Sequence, residues 1–102
     1  EIVDGFAQAA RRMAEAGADG VEIVASHGYL PAQFMNPKVN RREDKYGGSA
    51  ENRVRFPARV LAAVKQAVGD TTAVLAKINV ADGTRRGAKV ERCRRRPGLR
   101  GA

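Results

Sequence analysis

The stretch ASHGYLPAQF, residues 25–34, carries the chain's single histidine, His27, and two residues later one of its two tyrosines, Tyr29. An imidazole exchanges protons near neutral pH, and a phenol is a reasonable donor to a carbanion-like centre. Placed this close, the pair could handle protons at the mouth of an active site, or share an ordinary polar loop. Farther along, Lys77 in LAKIN adds a cation. Taken one at a time, each has a plain reading: His27 a satisfied loop histidine, Tyr29 a loop phenol, Lys77 a strand-end surface lysine. One histidine and one cysteine, Cys93, leave no internal disulfide and no multi-cysteine metal site, so no metal is expected.

The elements around these residues decide between the readings. Residues 1–20, EIVDGFAQAARRMAEAGADG, predict an amphipathic helix with Ile2, Phe6, Ala9, Ala10 and Met13 on its apolar side, capped near Gly17. VEIVA, residues 21–25, is a short β-branched run of the kind used by parallel strands. Residues 29–50 lack periodicity and carry Pro31, Pro37, Gly47 and Gly48, which predicts a long loop. Within it, NRREDKYGGSAENR predicts a salt-bridged stretch in which Arg41, Arg42, Asp44, Glu51 and Arg53 pin the chain. A second helix is expected from about Ser49 or Ala50 to Val68, with Val54, Ala58, Leu61, Val64 and Val68 buried, Pro57 kinking it and Gly69 ending it. AVLAKINV, residues 73–80, reads as a second strand.

Helices alternating with strands predict a parallel α/β sheet, in which ligands gather at the carboxyl ends of the strands. His27 and Tyr29 follow the first strand, and Lys77 lies near the end of the second. All three therefore belong on one rim. Alternation puts Glu22 and Val24 on one face of the first strand, an expected barrel interior with Glu22 held by hydrogen bonds.

The chain has 102 residues, enough for at most one small domain. Only 5% are aromatic, so a core of Ala, Val, Leu and Ile is expected, burying less area per residue at about 25 cal/mol per Å². No apolar run reaches the roughly 18 residues of a membrane span, no signal-peptide pattern opens the chain, and the lone thiol fits a reducing compartment; a cytoplasmic protein is expected. The net charge of +8 is not spread evenly. Residues 1–82 carry a net +1 and residues 83–102, GTRRGAKVERCRRRPGLRGA, a net +7. The chain divides accordingly into a nearly neutral body, 1–82, and a basic tail, 83–102, expected to be disordered.

AGADGVEIVASHGYLPAQFMNP, NRREDKYGGSAENRVRF and AKINVADG, in this order, resemble the flavin-dependent Old Yellow Enzyme, or NADH:flavin oxidoreductase, family across residues 2–83. SHGYLPAQF and KIN are most similar to the dienoyl-CoA reductase and trimethylamine dehydrogenase branch. The resemblance implies an eight-stranded (β/α)8 TIM barrel holding FMN at its mouth. This chain would be its middle: helix 3, strand 4, helix 4 and strand 5. It further implies Tyr29 as the proton donor to substrate, His27 as the partner of the substrate's activating oxygen, and Lys77 as the cation at the flavin's pyrimidine end. NAD(P)H would be the reductant and a small molecule with an activated double bond the substrate. Many family members have a second histidine where this chain has Val24, and valine donates no hydrogen bond. That departure argues against enone and nitro-ester reduction.

Two strands cannot close an eight-stranded barrel. The chain, which opens at Glu1, is therefore expected to be a fragment needing the remainder of the barrel, and inactive alone. Residues 83–102 lose the apolar stripe that the family's next helix would carry, as a shifted reading frame would cause. If that tail is genuine, a different reading follows, of a non-catalytic basic peptide binding nucleic acid or acidic surfaces through it. A translated remnant without function is the third.

Overall fold

The computed structural model describes residues 1–81; the basic stretch 83–102, its frame and Cys93 lie outside the described residues. Helix α1 (Ile2–Glu15) leads through a short turn into strand β1 (Gly20–Ala25). A connection carrying helices α2 (Leu30–Met35), α3 (Ala50–Arg53) and α4 (Arg55–Val68) returns to strand β2 (Ala73–Ile78). The two strands pair in parallel, from Gly20 opposite Ala73 to Ala25 opposite Ile78. This is the expected α/β order, with the crossover between parallel strands made by helix.

Packing selects one stripe on each helix. On α1 the buried positions are Val3 and Ala10, with Phe6 and Ala14 packed beside them, while Ile2 and Met13 are 59% and 53% exposed. The expected stripe is thus turned by about one residue. Apolar residues flank both candidate stripes (Ile2 and Val3, Ala9 and Ala10, Met13 and Ala14), so periodicity allows either, and contact with α4 decides. On α4 the buried row is Phe56, Val60, Val64 and Val68, strictly four residues apart, and Leu61 faces outward.

The predicted kink appears as a break. α3 and α4 are separated at Val54, three residues before Pro57, so the proline falls in the first turn of α4. There its missing N–H has no intrahelical partner to lose. Ser49 caps α3 by accepting a hydrogen bond from the Asn52 amide at 3.1 Å. At the far end, Gly69 takes φ 72° and its amide donates to the Lys65 carbonyl.

Residues 29–50 are not a continuous loop, because α2 occupies Leu30–Met35. Six residues are too few to display a helical period, although Pro31 at its first turn is a start signal. The remainder is pinned largely by side chains reaching backbone carbonyls. Arg53 donates to Met35 and Gly48, Asn40 to Phe34 and Tyr46, and Asn52 to Gly47. Arg42 and Asp44 form an ion pair. That pairing and its hydrogen bonds hold the Asp44 carboxyl below its ordinary range.

Four of the five aromatic residues meet in this region, contrary to the expectation of a purely aliphatic core. Phe34 stacks on Phe56 at 4.3 Å, and Phe6 and Tyr46 meet these rings edge-on at 6.4 and 6.3 Å. The rings tie the α2 segment and the loop to α4. Only Tyr29 stays outside the cluster.

Candidate active site

β1 places Ile23 and Ala25 against the helices, where both are buried, and turns Glu22 and Val24 to the opposite face, where both are exposed. Registered beside them on that open face are Leu75 and Lys77 of β2. The Glu22 side chain makes no hydrogen bond among the described residues. Nothing in the described chain lies over this face to offer it a partner. The Lys77 side chain, level with Val24, likewise has no ion pair or hydrogen bond among the described residues. An ammonium without a counter-ion on the open face of a parallel sheet suits an anionic or electron-rich ligand.

The chain leaves β1 through a tight turn. The Tyr29 amide donates to the Ser26 carbonyl at 3.1 Å, and the two residues between them, His27 and Gly28, have φ of 57° and 74°. Two successive positive φ values are the mark of a type I′ turn. Gly28 accepts this without cost. Histidine is among the few other residues that enter the left-handed region, and a non-glycine residue held there is a pointer to a functional turn. The turn is clamped twice more. Gln33 donates to the Gly28 carbonyl at 2.8 Å, and the His27 amide donates to the Asn79 side chain at 3.4 Å. Asn79 lies one residue past β2, so this longer contact bridges the exits of both strands.

The three predicted site residues thus share one end of the sheet. Tyr29 begins α2 and is 63% exposed; with Met13, Val21, Val24 and Leu30 it lines an apolar groove between α1 and β1. Lys77 is on the neighbouring strand. Val24 stands between them, lining the groove and pairing in register with Lys77. His27 projects from the turn beyond, and its Nδ1 lies 2.7 Å from the Ser26 hydroxyl. No hydrogen bond joins any two of the three side chains among the described residues. Sequence reasoning missed Ser26 and Asn79. Their signal was faint but present: a polar residue just past the end of each apolar strand run.

The residues fit a flavin in part. Lys77 is an unpaired cation at the rim and the open sheet face is largely apolar, as a ring system with an electron-rich edge requires. No phosphate-binding backbone cradle occurs among the described residues, so these elements would hold the ring end of FMN only.

Comparison with known proteins agrees. Residues 1–93 match the NADH:flavin oxidoreductase / NADH oxidase family. N,N-dimethylglycine/sarcosine dehydrogenase of Chromohalobacter salexigens is 55% identical over 69 residues, 68% of this chain and 10% of that protein. 12-Oxophytodienoate reductase 1 of Oryza sativa is also 55% identical over 69 residues, 68% of this chain and 18% of that protein. The structure of 2-naphthoyl-CoA reductase with 2-naphthoyl-CoA superimposes with a TM-score of 0.83 at 37% identity, covering 87% of this chain and 14% of that one. The chain therefore spans less than a fifth of each of these proteins. Its two parallel strands and their helices are a part of such a barrel domain, and the chain belongs to the NADH:flavin oxidoreductase family of flavin-dependent oxidoreductases.

Proposed function

We propose that residues 1–82 form one wall of the active site of an FMN-dependent oxidoreductase, completed by barrel segments outside this chain. Lys77 holds the pyrimidine end of the flavin, Tyr29 gives the proton to the substrate, and His27 donates a hydrogen bond to the substrate's activating oxygen. Bound FMN supplies the hydride carrier between NAD(P)H and the substrate. The observation that carries this reading is Lys77, which has no counter-ion among the described residues, stands level with Val24 on the open face, and lies on the strand whose exit is bridged to the His27 turn.

The substrate class follows from chemistry rather than from identity. The amine dehydrogenase and the 12-oxophytodienoate reductase are equally similar to this chain, so identity does not choose between their chemistries. Val24 contributes no hydrogen bond at the rim, which favours substrates activated by one donor over those clamped by two. An activated double bond conjugated to a thioester is the first candidate, and oxidation of an N-methyl amine the second. The lone cysteine, Cys93, fits a cytoplasmic setting.

Titration of the 102-residue chain with FMN, followed by flavin fluorescence and far-UV circular dichroism, tests the reading. Saturable quenching that is lost in Lys77→Ala supports it. Quenching that Lys77→Ala leaves unchanged, or none in a folded chain, removes the proposed role of Lys77 and of this wall.

A further inference from the structure

The deepest polar side chain in the structure is Ser26, 1% exposed, and its hydroxyl lies 2.7 Å from Nδ1 of His27. Neither the helices nor the strands need a serine there. A small apolar residue would fill the same space, and burial of a hydroxyl costs about 1–3 kcal/mol unless it is hydrogen-bonded. The bond to the imidazole is the only side-chain bond Ser26 makes among the described residues.

The direction of that bond follows from proton accounting. If Nδ1 carried the proton and donated to Oγ, the buried hydroxyl proton would need another acceptor, and none is present among the described residues. A buried donor left without a partner is the costly case. The Ser26 hydroxyl therefore donates to an unprotonated Nδ1, and in the neutral ring the proton sits on Nε2. Nε2 has no hydrogen-bond partner among the described residues, and His27 is exposed at the turn. Its backbone is held by the left-handed turn and the Asn79 contact, so the ring leaves the rim from a fixed base.

We infer that Ser26 is a positioning residue: it fixes His27 as the Nε2–H tautomer and so presents a hydrogen-bond donor at the strand exit. The group recognised would be an acceptor, such as a carbonyl, thioester or carboxylate oxygen. The inference that His27 touches substrate rests on the proposed function, whereas the tautomer does not.

That separation sets the experiment. Because the chain has a single histidine, long-range proton–nitrogen NMR of the 15N-labelled chain reads its two ring nitrogens without ambiguity. At alkaline pH the wild-type ring is expected to be almost wholly Nε2–H, beyond the preference of the same chain in urea. Ser26→Ala returns the ratio to the urea value, and Ser26→Thr, which keeps the hydroxyl, restores the wild-type ratio. A folded wild-type ring with the urea ratio, or with Nδ1–H dominant, overturns the inference. So does a folded Ser26→Ala chain with the wild-type ratio. Should Ser26→Ala fail to fold, the wild-type and Ser26→Thr spectra still decide. No flavin is needed, so failure of FMN to bind would strike the proposed function and leave the tautomer standing. Correct FMN binding with the wrong tautomer would do the reverse.

Discussion

The helix side of the sheet and its open face are built to different rules. On the helix side, Ile23, Phe56, Val60 and Val64 are buried, four aromatic rings interlock, and the long loop is pinned by arginine and asparagine side chains. On the open face and the exit turns, Glu22, Val24, His27, Tyr29 and Lys77 are all exposed, and the Lys77 ammonium has no counter-ion among the described residues. The first region is satisfied by this chain's own atoms. The second holds side chains, Glu22 and Lys77 among them, that find no partner among the described residues, and that is where chemistry is expected. Stability should therefore be set by one region and ligand binding by the other.

The largest effect should come from opening the ring cluster. Phe56→Ala removes the ring on which Phe34 stacks and is expected to cost about 3–5 kcal/mol, read by urea denaturation. Gly47→Ala comes next. A Cβ at Gly47 would lie 2.3 Å from the Arg42 carbonyl oxygen, so the loop must shift at a cost of about 1–3 kcal/mol in the same assay. Ser49→Ala, removing the cap of α3, should cost about 1 kcal/mol.

The Arg42–Asp44 pair adds a smaller, pH-dependent effect. Asp44 has a folded pKa below its unfolded value, so its contribution is present above the ordinary aspartate range near about pH 4 and disappears as pH falls through the folded pKa. Thermal melts of Asp44→Asn should match wild type at low pH and fall slightly below it at neutral pH. Last, Lys77→Ala and Tyr29→Phe should change stability by less than about 0.5 kcal/mol. Lys77→Ala should nevertheless abolish FMN quenching, and a large loss of stability in either variant would collapse the division between the two regions.

Much of the arrangement could be read before any coordinates. The apolar runs at 21–25 and 73–80 became β1 and β2, and both helices lie where glycines and periodicity put them. The rim residues followed from strand direction alone, since a residue just past a parallel strand must lie at its carboxyl end. The two helix faces that were misread share a cause. Val3 was preferred over Ile2, and Val60 over Leu61, by contact between α1 and α4, because a helix with apolar residues on adjacent stripes does not choose between them alone.

What the sequence determined by itself is the order of the two strands and the two long helices, the family and the identity of the chemical groups, because these rest on local periodicity and on motifs contiguous in the chain. What only the tertiary structure decided is adjacency. It set Val24 level with Lys77, brought Asn79 to the His27 turn across 52 positions, and buried Ser26 with its hydroxyl against the His27 ring. Register and burial depend on residues far apart in the chain, and a local pattern contains neither.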